Sequence, residues 1–305
     1  MPRRRPDLPS GDLTRRTLLA LPAALAGSAW AQSTGYGDAP AAAPAVVPAP
    51  AVVPAPAPAP APVAGPEALG STRLALLIGN RVYPSPFDLP PVHKNIRDLS
   101  AALELRKFKV TSALDQDPAS LRRTIQAFAQ EAKAAPPDAT VLYYFTGHGM
   151  QEDAENLMLG AGIAPNARDD TLLGSSLHLK RDVIDQLPRR PAGLTIAVVD
   201  ACRQSLSAVV AATDGFNQVE APLGCLIVFS TAAGKPAIAP AVETANTFYT
   251  GSLVKLLLSS ADELSFSDLF RLVKIDVQQT MLNHPLSLIR QVAQVPFIAE
   301  NTQVR

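Results

Sequence analysis

Three scarcities narrow the classes to which this 305-residue chain can belong. Cysteine is the first. Two residues, Cys202 and Cys225, are too few for the framework of bridges that holds small secreted domains together. The second is unbalanced charge. Basic and acidic residues each number 27, so no cationic surplus points to a nucleic acid, and that partner is excluded. The third is a long apolar run. Near the N-terminus, Leu18 to Trp30 is too short and too rich in Ala and Gly for a membrane span, so none is expected in the mature form. A G-x-S-x-G elbow is missing as well, which leaves a serine hydrolase unsupported.

What the N-terminus does carry is an address. Thr14-Arg15-Arg16-Thr17-Leu18-Leu19 pairs two arginines ahead of the apolar run, and Ala29-Trp30-Ala31 fits the small-x-small rule for cleavage. Residues 1–31 are expected to be a twin-arginine signal peptide, which makes the protein periplasmic or secreted; a retained anchor helix is the alternative. The leader holds five of the 27 basic residues and two of the acidic ones, Asp7 and Asp12, so the remainder has 22 basic against 25 acidic residues and a net charge of −3. Residues 32–70 form a Pro/Ala-rich linker. Within it, 39–66 is almost entirely Ala, Pro and Val, which builds a semi-rigid polyproline-type spacer and no core. The folded domain is residues 71–305.

Two stretches in that domain carry chemistry. Leu194 to Arg203 reads LTIAVVDACR. Its small and β-branched uncharged run is that of a strand buried on both faces of a parallel sheet. An acid, a thiol and a base (Asp200, Cys202, Arg203) follow where the strand ends, which is where open α/β sheets place their ligands. Thr140 to Gly149 reads TVLYYFTGHG and repeats the pattern, with His148 between two glycines that let the backbone turn sharply. If the strands are neighbours, His148 and Cys202 share one sheet edge, and a thiol needs such a base to become a nucleophile near neutral pH.

Around them the pattern alternates. Arg73–Gly79 reads as a buried first strand, 80–91 as a loop with four prolines, and 92–105 as a helix with Ile96, Leu99 and Leu103 inward. A strand at 108–114 precedes a helix with Asp117 as N-cap, Pro118 at its first position and an end near Ala134. A short strand at 156–159, a helix at 179–187, a strand at 226–230, helices at 247–258 and 265–282 and an edge strand at 294–299 complete the order. That order is an α/β domain with a mostly parallel sheet. It also argues against a disulfide. Cys202 leaves its strand and Cys225 enters the next, so the two lie a strand length apart, roughly 15–20 Å, against the ~7 Å a bridge allows.

These residues, taken together, resemble the caspase-like cysteine peptidases: caspases, metacaspases and bacterial orthocaspases. LALLIGN at 74–80, the helix at 92–105, YYFTGHG at 143–149, VVDACR at 198–203, LIVFSTAAG at 226–234 and NTFYTGSLVKLL at 246–257 match in order. The resemblance implies a caspase-haemoglobinase three-layer sandwich with a six-stranded sheet. It implies cysteine endopeptidase activity on a protein or peptide substrate, with Cys202 as nucleophile and His148 as its partner. Gly149 and Cys202 would offer backbone N–H groups as an oxyanion hole. Asp200 matches an acid that lines the primary specificity pocket of metacaspases and favours Arg or Lys before the scissile bond. Asn95 and Ser230 are expected to line the same pocket. Relatives commonly have Asn-Asp where this chain has Lys94-Asn95, so one pocket charge is lost. They often carry an acid where this chain has Gly160-Ala161-Gly162, and some metacaspases use such acids for calcium. No cofactor or metal is therefore expected. The 204–234 stretch has no Lys or Arg, so a basic preference implies a single chain that does not cut itself there; Asp214 is a site only under an aspartate preference. A catalytically silent binding module on a Pro-rich stalk is the alternative reading.

Overall fold

The computed structural model describes residues 72–152, 155–202, 219–261 and 264–302. The expected signal peptide and linker, Arg203 and Asp214 lie outside the described residues. In order, the chain forms β1 (Arg73–Gly79), α1 (Val92–Leu105), β2 (Lys109–Leu114), α2 (Pro118–Ala134), β3 (Thr140–Thr146), β4 (Gly149–Glu152), β5 (Glu155–Met158), α3 (Asp169–Ser175) and β6 (Leu177–His178). A π-helical turn (Leu179–Ile184) leads to β7 (Leu194–Asp200) and β8 (Cys225–Phe229). Then come α4 (Phe248–Ser259), α5 (Phe266–Leu282), α6 (Ser287–Gln291) and β9 (Phe297–Asn301).

The main sheet has the order β2-β1-β3-β7-β8-β9. Every pair is parallel except β8 with β9. Strand alternation splits the core into two layers. Leu74, Leu76, Ile78, Tyr143 and Phe145 face α2 residues Leu121, Ile125 and Phe128. Ala75, Leu77, Leu142 and Tyr144 face Leu99 and Leu103 of α1 and Leu253 and Phe270 of α4 and α5. Helices on both faces of a mostly parallel sheet make the three-layer α/β sandwich that the sequence implied.

Local chemistry sets the helix ends. The Asp117 side chain accepts from the Ala119 and Ser120 amides at 2.8 and 2.9 Å, with Pro118 at the first helical position. Ser265 caps α5 through the Asp268 amide at 3.1 Å, and Thr247 caps α4 through the Thr250 amide at 3.2 Å.

Boundaries moved where a backbone constraint intervened. β2 begins at Lys109 because Lys107 takes a positive φ of 64° and turns Phe108 into the core. The last strand begins at Phe297, since Pro296 has no N–H to give a ladder. The helix expected at 179–187 is the shorter π-helical turn, and α3 and α6 were not foreseen. Both cysteines are free thiols, and Cys225 pairs in register with Thr195 at the opposite end of β7 from Cys202. None of the described helices is long and apolar enough to cross a membrane.

Candidate active site

β3 and β7 are adjacent and parallel, with Thr146 opposite Asp200. His148 and Cys202, each two residues further, therefore leave the sheet at the same edge. The two loops touch at Gly149. A Cβ there would stand 2.9 Å from the Ala201 Cβ and 3.0 Å from the Cys202 carbonyl oxygen, so only glycine allows this approach.

His148 is held by the loop after β1. Its Nε2 lies 2.8 Å from the Phe87 carbonyl oxygen, its backbone N–H donates to the Tyr83 hydroxyl at 3.1 Å, and the Tyr83 ring meets the imidazole edge-on at 4.5 Å between centroids. A carbonyl only accepts, so Nε2 carries the hydrogen and Nδ1 is the basic nitrogen of the neutral ring. Burial holds the His148 pKa below the ordinary 6.5, partly offset by the Phe87 carbonyl. The ring is thus neutral at pH 7.

Cys202 is half-buried. Its sulfur accepts from the Ala237 amide at 3.4 Å and approaches the Ala237 carbonyl at 3.6 Å. Burial pushes the thiol pKa up; the Ala237 amide opposes this and the Asp200 charge adds to it. Among the described residues no hydrogen bond joins the sulfur to the imidazole. At neutral pH the two strand-end groups are a protonated thiol and a neutral imidazole on adjacent loops.

Beneath Cys202 the three expected pocket residues come together, but sealed. Asn95 and Ser230 are 0 % exposed and Asp200 is 4 % exposed. One carboxylate oxygen of Asp200 accepts from Thr247 Oγ1 at 2.5 Å and Thr250 Oγ1 at 2.7 Å. Asn95 accepts from the Thr247 amide at 3.1 Å and donates to Thr247 Oγ1 at 3.2 Å and Thr146 Oγ1 at 3.4 Å. The Tyr144 hydroxyl lies 2.5 Å from Thr250 Oγ1. Burial raises the Asp200 pKa against these hydroxyls. The Ser230 hydroxyl sits on the same carboxylate outside strict hydrogen-bond geometry, and the buried Tyr249 hydroxyl likewise has no hydrogen-bond partner among the described residues. Asn95 acts as a brace between α1 and the cap of α4.

Sequence reasoning missed Tyr83, Phe87, Ala237 and the two threonines. Tyr83, Phe87 and Ala237 act from loops, two of them through backbone atoms that carry no side-chain signature. Thr247 and Thr250 were within reach, since NTFYTG opens a helix and Thr is a favoured N-cap. Among the described residues no group of three or more His, Cys, Asp or Glu is arranged to hold a metal ion.

No curated protein matches the sequence. A family model described as the caspase domain matches residues 72–305, which takes in every element of the sheet and both strand-end motifs. The chain belongs to the caspase-domain family of cysteine peptidases.

Proposed function

We propose that the protein is an exported cysteine endopeptidase that cuts after Arg or Lys through Cys202 and His148. The observation that carries this reading is the pairing of a thiol and a tautomer-fixed neutral imidazole at the ends of adjacent parallel strands. Cys202 Sγ attacks the peptide carbonyl carbon while its proton passes to His148 Nδ1. The Gly149 and Cys202 amides stabilise the oxyanion. Collapse of the adduct breaks the C–N bond, and the leaving amine takes the proton from Nδ1. Water, its proton drawn to the same nitrogen, then hydrolyses the thioester and returns the thiol. Asp200 supports the basic preference through its charge, which reaches the Cys202 sulfur from a buried position beneath it. The paired arginines at 15 and 16 support export.

A fluorogenic peptide panel varying the residue before the scissile bond (Arg, Lys, Asp, Gln, Leu) tests this, with the full chain beside Cys202→Ala. Turnover of Arg or Lys peptides that vanishes in the variant is expected. Turnover of another residue keeps the dyad and rejects the pocket assignment. No turnover of any peptide leaves a binding module.

A further inference from the structure

The segment after β8 has to be held in place to reach Cys202, and one buried side chain does so. Ser230 follows β8 and Gln294 precedes β9. Because β9 pairs antiparallel with β8, Phe229 opposite Phe297, the exit of one strand lies beside the entrance of the other. Gln294 is 2 % exposed. Its Nε2 donates to the Ser230 carbonyl and its Oε1 accepts from the Ile238 amide, both at 3.0 Å. Its own amide donates to the Met281 sulfur at 3.3 Å, which fixes it to α5. One primary amide therefore joins the two ends of the 230–238 segment. Ala237, next to the anchored Ile238, is the residue whose backbone N–H and C=O both turn on the Cys202 sulfur.

We propose that Gln294 is a positioning residue: by clamping Ser230 and Ile238 it seats the Ala237 backbone on the Cys202 sulfur, and so sets how readily a substrate reaches the nucleophile. The proposal deepens the peptidase reading and rests on Cys202 being the reactive group. A side chain with a donor and an acceptor on one carbon meets both backbone groups at once; neither an apolar chain nor a carboxylate does.

The test reads thiol accessibility in the full chain, without turnover. The probe is a dipyridyl disulfide, which reacts with thiols in acid as well as at neutral pH, and Cys202 modification is followed by peptide mass spectrometry. Gln294→Met keeps the length and loses both bonds, and is expected to raise the Cys202 rate about thirtyfold, the scale of two neutral hydrogen bonds. Gln294→Glu is expected to match Gln294→Met at neutral pH. In acid its protonated carboxyl donates and accepts again, so its rate relative to wild type returns toward one. That acid rescue is a signature a merely structural residue lacks, and a cooperative melt shows that each variant folds. Rates unchanged in both variants, or a glutamate that behaves like methionine at every pH, overturn the proposal. A chain that cuts no peptide yet shows the rescue sinks the peptidase reading and keeps the clamp.

Discussion

The floor and the rim of this site are built on different principles. Below Cys202, Asp200 is held by side chains on regular elements: the capping threonines of α4 and, through them, Asn95 of α1. Above it, His148 and the sulfur are held by backbone atoms of loops, the Phe87 carbonyl and the Ala237 amide. The floor is buried, and its groups are fixed in direction by the hydrogen bonds they make to one another. The rim is less buried, and its contacts are hydrogen bonds to loop residues.

That difference predicts a graded response. Asp200→Asn, on the floor, is the largest. It leaves a neutral carbonyl for the Thr247 and Thr250 hydroxyls, so the fold survives, but it removes the charge on which the proposed Arg or Lys preference rests. Losing a buried charged partner costs about 2–5 kcal/mol, or roughly one and a half to three and a half orders of magnitude in kcat/KM for Arg peptides. Steady-state kinetics checks this, and an unchanged Arg preference would reject the floor as the source of specificity.

Tyr83→Phe, on the rim, is expected to be mild. The phenol accepts from the His148 amide and donates to the Leu159 carbonyl at 3.3 Å. Its loss removes those bonds while the ring contact with the imidazole stays. A drop in kcat of several fold is expected at constant KM, in line with about 1 kcal/mol for a neutral hydrogen bond. A loss as large as that of Asp200→Asn would erase the distinction between floor and rim.

The same distinction explains what was legible in the sequence. Four of the six sheet strands announced themselves because β1, β3, β7 and β8 are buried, largely apolar runs that end in or lead into polar or glycine residues. His148, Cys202 and Asp200 could be placed since strand ends fix position as well as identity. The pocket residues could be named, but not their closure: whether Asn95 faces a ligand or braces Thr247 depends on contacts between residues 152 apart in the chain. Least legible was the rim. Nothing in Pro84–Pro91 or Lys235–Ile238 marks a carbonyl or an amide as the one that meets His148 or Cys202. The small sheet of β4, β5 and β6 is similar, since its two-residue strand β6 is too short to carry a period.

The most direct test of the account is the pH dependence of alkylation at the two thiols, measured separately by mass spectrometry, in wild type and His148→Ala. Burial places the Cys225 pKa at about 11, with the Arg189 charge opposing, and raises that of Cys202 while lowering that of His148. Both thiols are protonated at pH 7, and Cys202 is the one that shares its sheet edge with His148. The account predicts that Cys202 reacts faster than Cys225. Its rate should fall as pH drops through a value below 6.5, where the imidazole gains its proton, and His148→Ala should remove that advantage without touching Cys225. Equal reactivity of the two thiols, or a Cys202 rate indifferent to His148, would contradict the dyad on which the account rests.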